Sequence, residues 1–190
     1  IEIIHDLPGV GENLQDHLEI YIQHKSKKPE TLYNLSTNYL IQAIEGMKWF
    51  LFKNGMLAHS HLELGGFIKT SEKYQHPNIQ YHFFPSLVYN HGLTNPSFDG
   101  FQFHASPNRP KSRGSVKIKS NNIKDDPKII FNYLQDEEDL IQMRDSVKIA
   151  NKIFSQSSLK SYLGEQIRPG YSCNSNEELD QVIRETGDTA

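Results

Sequence analysis

The chain has 190 residues, a net charge of −3, 36% hydrophobic residues and a pI near 6.3. That length supports one sizeable core, and the composition lacks the basic excess of a nucleic-acid binder. A single cysteine, Cys173, excludes an intramolecular disulfide and points to a reducing, cytoplasmic compartment. The longest apolar run, "MKWFLF", falls far short of the roughly 18 residues a membrane helix needs.

"IEIIHDLPGVGENLQ" reads as a short apolar strand broken by Pro8 and two glycines. "DHLEIYIQHK" alternates Leu18, Ile20 and Ile22 against His17, Glu19, Tyr21 and Gln23, which predicts a half-buried strand with a wet polar face. From Ser36, apolar residues recur at three- and four-residue steps: Leu40, Ile41, Ile44, Met47, Phe50 and Leu51. This predicts an amphipathic helix capped by Ser36 and stopped at Asn54-Gly55.

Strands are then expected in "HSHLELGGFIKT", "NIQYHFF", "GFQFHAS", "GSVKIKS" and "PKIIFNYL", with "PNRPKSRG" joining two of them as a hairpin loop. "DEEDLIQMRDSVKIANKIF" carries a helical stripe of Leu140, Met143, Val147, Ala150 and Phe154 behind an acidic first turn. "NSNEELDQVIRETG" offers a capping box, Ser175 with Glu178, and Gly187 as a stop. The expected fold is a single α+β domain: a mainly antiparallel sheet of about five to six strands with helices packed on one face.

Gly9 and Gly11 form a G-x-G, but Leu14 stands where a dinucleotide fingerprint needs its third glycine, and a strand rather than a helix follows. A turn is the better reading. The nine histidines include His59 and His61 on one strand parity, yet no H-E-x-x-H or cysteine pair accompanies them; no metal is expected. The basic run Arg109, Lys111, Arg113, Lys117 and Lys119 fits a solvated face better than a phosphate site. Glu63 shares the parity of His59 and His61. Among aromatic rings it would suit a cationic ligand, whereas on an open face it would simply meet water.

"LPGVGENLQDHLEIYIQ" closely resembles the stretch that joins the flavin domain to the substrate domain in glucose-methanol-choline (GMC) oxidoreductases. "NGMLAHSHLELGGFI", "HPNIQYHFFPSLVYNHG", "SRGSVKIKS" and "IIFNYL" follow in the family's order, so the resemblance spans essentially the whole chain. It implies an FAD-dependent alcohol oxidoreductase, with residues 1–190 as its substrate-binding domain and choline as the small-molecule substrate. It also implies an FAD-binding domain upstream and a catalytic histidine beyond Ala190. The isolated chain is therefore expected to have no turnover and no tightly bound FAD, and the flavin domain becomes its partner.

By the same resemblance, Glu63 matches the carboxylate that faces the trimethylammonium group in choline-oxidising members. His61-Leu62 replaces the aromatic pair that precedes it there, so the aromatic cage falls to Phe84 or Tyr89. His91 matches a histidine that orients the substrate oxygen. Asn13, Asp16 and His17 match the "NLQDH" run near the flavin, although Asp16 and His17 could equally serve only to fix the turn. The resemblance leaves open a peripheral association of the full-length enzyme with the inner membrane. It also leaves open another alcohol substrate, or a free-standing binding module.

Overall fold

A computed structural model describes residues 4–60, 62, 64–89, 92–94, 96–169, 173 and 175–190. Its main body is an antiparallel sheet of six strands: β2 (Leu18–Ser26), β3 (Leu64–Ile68), β4 (Ile79–Phe84), β5 (Gly100–Pro107), β8 (Leu163–Arg168) and β9 (Asp188–Thr189). The order is β3-β4-β5-β2-β8, and β9 pairs with the start of β2. A smaller sheet runs β1-β6-β7, from Glu12–Leu14, Gly114–Lys117 and Lys128–Ile130.

The alternation in β2, β4 and β5 sets the core. Ile20 pairs with Ala105 and Ile22 with Phe103, while Ile79 and Tyr81 pair with Pro107 and Ala105. These residues therefore share one face. Helix α3 (Glu137–Phe154) lies across it and buries Leu140, Met143, Val147, Ala150 and Phe154, the predicted stripe. The Tyr81 hydroxyl donates to the Ser146 carbonyl of α3 at 2.5 Å, fixing the helix to the sheet. Helix α4 (Asn176–Thr186) begins with the predicted Ser175/Glu178 capping box and packs Leu179 and Ile183 inward. An Arg144–Asp180 fork with both bonds at 2.6 Å ties it to α3.

Four expectations need correction. "PNRPKSRG" is not a hairpin loop: it carries the chain from β5 in the large sheet to β6 in the small one. Buried Asp139 holds that crossing, accepting from the Lys111 N–H (2.8 Å), the Ser112 N–H (2.8 Å) and the Ser112 hydroxyl (2.6 Å). The helix after Ser36 is two pieces, α1 (Tyr33–Thr37) and α2 (Tyr39–Phe52). Asn38 caps α2 through Leu40 and Ile41, whereas Ser36 donates back to Tyr33, and the chain leaves α2 at left-handed Lys53, before the Asn-Gly pair.

The apolar residues of α2 are also not core. Leu40, Met47, Phe50 and Leu51 are exposed, and the buried side chain of this helix is Glu45. Glu45 accepts from the Met56 N–H at 2.7 Å and pairs with Lys48 at 2.6 Å, bracing α2 against the following turn. Finally, β8 was not anticipated from the sequence.

Candidate functional site

The G-x-G is a turn, as expected. Gly11 adopts φ 76°, and its carbonyl accepts from Val116 at 2.7 Å. A Cβ there would sit 2.1 Å from the Val116 oxygen, so glycine allows β1 to lie against β6. The chain enters a strand at this point and not a helix N-terminus.

Asp16 follows this turn and ties it to the far end of the chain. Its Oδ2 accepts from the Tyr133 hydroxyl and from Thr189 Oγ1 at 2.8 Å. Burial opposes its ionisation, but bonds from Tyr133, Thr189 and the His17 backbone outweigh it and hold the carboxyl below its ordinary value. Burial and the bond to Asp16 push Tyr133 up to about 12. The Ala190 N–H also donates to the His17 carbonyl at 3.0 Å. The structure thus uses Asp16 and the His17 backbone to fix the turn, one of the two roles foreseen for them. Asn13 sits exposed on β1 with left-handed backbone, φ 59°.

The face of the large sheet opposite α3 carries the other members of the alternation: Glu19, Tyr21 and Gln23 of β2, Gln102 and His104 of β5, and His82 and Phe84 of β4. It was expected to be wet, yet Gln23 and Gln102 are fully buried and Glu19 and His104 nearly so. The cover is the segment 85–89 after β4. Leu87 is buried there against Gly100, where a Cβ would lie 2.6 Å from the leucine side chain.

A chain of hydrogen bonds crosses this face. Glu19 Oε1 lies 2.9 Å from His104 Nδ1, and His104 Nε2 meets Gln102 Nε2. Gln102 Oε1 accepts from Gln23 Nε2 (2.7 Å) and from the Val88 N–H (2.9 Å), and Gln23 Nε2 donates also to the Val88 carbonyl (3.0 Å). The imidazole of His104 is sandwiched between Tyr21 and Phe84, with centroid separations of 4.1 and 4.3 Å. Burial and the Glu19 carboxylate push Tyr21 up to about 12.

Of the residues foreseen for substrate binding, the structure therefore brings Phe84 and Tyr89 to the same face. Phe84 stacks on His104, and Tyr89 directly follows Val88 with the Arg168 guanidinium 5.9 Å from its ring. Glu63 and His91, and His61 of the histidine pair, lie outside the described residues. Among the described residues no group of three or more His, Cys, Asp or Glu is placed to hold a metal ion.

Comparison with known proteins agrees with this architecture. Residues 110–190 match the GMC oxidoreductase family model. All 190 residues align at 42% identity with the oxygen-dependent choline dehydrogenases of Escherichia coli and of Pseudomonas savastanoi, covering 34% and 33% of those proteins. Residues 110–190 belong to the GMC oxidoreductase family.

The chain spans about a third of the length of the curated relatives it matches. Its fold also recurs in an Aspergillus oryzae formate oxidase, with a TM-score of 0.85 at 19% identity over the whole chain and 38% of that protein. A Mesorbium loti pyridoxine 4-oxidase gives 0.76 at 21% identity over the whole chain and 33% of that protein.

The polar chain from Glu19 to Gln23 was not foreseen from the sequence. Its members were visible as the polar half of each alternating strand, but what covers them is a segment about sixty residues away in sequence from β2.

Proposed function

We propose that residues 1–190 form the substrate-binding domain of an FAD-dependent enzyme that oxidises choline to betaine aldehyde. The supporting observation is 42% identity along the entire chain to oxygen-dependent choline dehydrogenases. The substrate would lie over the sheet face opposite α3, where Phe84 and Tyr89 present aromatic surface to a quaternary ammonium group; the resemblance adds Glu63 and His91 as substrate contacts. Residues 7–17 do not fit the task of holding a dinucleotide: Gly11 leads into a strand, and the Asp16 carboxylate is engaged by Tyr133 and Thr189. On this reading FAD is held by chain outside residues 1–190, with Asn13 and His17 available only as edge contacts.

Reading the coding sequence on both sides of this segment tests the assignment, with a flavin domain expected before Ile1 and a histidine-bearing segment after Ala190. In a full-length enzyme, Glu63→Gln is expected to raise KM for choline at least tenfold, because losing a charge pairing in a partly buried site costs on the order of a few kcal/mol. A neutral isostere, 3,3-dimethylbutan-1-ol, should be little affected. Equal effects on both alcohols would remove the quaternary-ammonium assignment and favour another alcohol of the family.

A further inference from the structure

The main chain of Val88 dictates the protonation pattern of the buried polar chain. A peptide N–H can only donate, so the atom of Gln102 opposite it must be the amide oxygen, at 2.9 Å. That same oxygen receives the Gln23 amide at 2.7 Å, and the other proton of that amide goes to the Val88 carbonyl at 3.0 Å. The Gln102 NH2 therefore points at His104 Nε2, which has to be the bare nitrogen and accept. The ring proton then resides on Nδ1, donated to Glu19 at 2.9 Å. Each polar group in the chain has one orientation compatible with its neighbours. One acceptor is left over: Gln23 Oε1, buried and with no partner among the described residues.

The logic also runs in reverse. A His104 ring protonated on Nε2 would turn the Gln102 amide over and set its NH2 against both the Val88 N–H and the Gln23 NH2. The segment 85–89 would lose its attachment to the sheet through Val88. That segment leads from Phe84, which stacks on His104, to Tyr89.

We infer that His104 is a positioning residue: through Gln102 and Gln23 it sets the segment 85–89, and with it Tyr89, over the sheet face beside Phe84. It acts by accepting a hydrogen bond at Nε2, and contact with the substrate is not required. The consequence for catalysis rests on the proposed choline-binding reading; the hydrogen-bond arrangement itself does not.

Long-range proton–nitrogen correlation spectra of the 190-residue chain at neutral pH read the ring directly. The expected result is the tautomer protonated at Nδ1 alone, and a ring protonated at Nε2 overturns the inference. Two substitutions separate positioning from packing. His104→Phe keeps the stack with Tyr21 and Phe84 but removes the acceptor. His104→Gln gives up the stack but can place an amide oxygen close to the Nε2 position. Val88 amide exchange is expected to be roughly tenfold faster in the Phe variant, as loss of a fixed hydrogen-bond network allows local opening. The Gln variant should return close to the wild-type rate. The opposite order, with Phe protecting and Gln not, would show that the ring serves only as filler and would overturn the proposal.

In the full-length enzyme the same pair should divide KM from kcat: His104→Phe raises KM for choline about tenfold with kcat within twofold, and His104→Gln restores it. If Val88 exchange follows the expected order while KM for choline stays unchanged in both variants, the positioning role stands and the choline-site reading is the one that fails.

Discussion

Folding of this protein should be linked to proton release from His24. The residue lies on the helix-facing side of β2, 4% exposed, with its ring centroid 4.6 Å from Phe154 and 6.2 Å from Phe101. Neither ring nitrogen has a hydrogen-bond partner among the described residues. Burial lowers its pKa from 6.5, and proximity to the Gly164 backbone offsets only part of that. The unfolded chain, with an ordinary imidazole, therefore takes up a proton near pH 6.5 that the folded chain refuses. Stability attributable to His24 is complete above pH 6.5, falls as pH drops below it, and levels off only below the folded-state pKa. One proton sets a ceiling of about 1.4 kcal/mol per pH unit on that slope.

Urea unfolding followed by circular dichroism between pH 5 and 8 measures the effect, with His24→Leu as the reference that cannot titrate. Carboxylates contribute equally to both proteins and cancel in the comparison. The wild type should lose stability relative to the variant on acidification through that range, by no more than about 1.4 kcal/mol per pH unit. Parallel stability curves would refute the reasoning and mean that the ring is hydrated or hydrogen-bonded in solution.

Three further outcomes follow from the same packing. Phe154→Ala empties the meeting point of His24, Phe101 and Phe103 and should cost about 3–5 kcal/mol in the same urea assay. Asp16→Asn replaces the ionised acceptor of Tyr133 and Thr189 and should cost about 1 kcal/mol at pH 7. Because the folded Asp16 pKa is lowered, that difference should vanish as pH falls through the carboxylate range. The exposed apolar residues of α2 should make the 190-residue chain self-associate with rising concentration, and sedimentation velocity should show Leu40→Ser, Phe50→Ser and Leu51→Ser together shifting it toward monomer.

Much of the fold was legible because the apolar half of each alternating strand is the half that packs under α3. β2, β4 and β5 alternate strictly, and every apolar member of that alternation in β2 is buried. α3 and α4 carry their stripes and caps in the open. β8 was missed because Leu163 and Ile167 are its only large apolar residues and, at one edge of the sheet, none of its residues is fully buried. α2 misled for the opposite reason. Its three- and four-residue spacing is real, but periodicity reports apolar residues and not what covers them. Asp139 looked like a dipole-favoured residue in a first turn, while its partners, Lys111 and Ser112, lie in a loop that sequence alone read as a hairpin connection between paired strands. Within the candidate site, Phe84 and Tyr89 were reachable by resemblance. The Glu19–His104–Gln102–Gln23 chain was not, since alternation says only that these residues face away from the core.

The two faces of the large sheet are nevertheless one mechanical problem. A strand cannot move Tyr21 without moving Ile20 and Ile22, so the register that seats the apolar residues under α3 also fixes Tyr21 opposite His104 and Phe84 opposite Gln102. A slip of one residue would bury Glu19 and Gln23 beneath α3 without partners, at a cost of several kcal/mol. The core therefore supplies the accuracy of the polar face at no separate cost in that face's own interactions. The hydrogen bonds there are left with the narrower task of choosing amide and imidazole orientations, and those orientations decide whether the segment 85–89 stays attached over the sheet. On this argument, loosening α3 should reach the polar face through strand register before it reaches it through any side chain the two faces share.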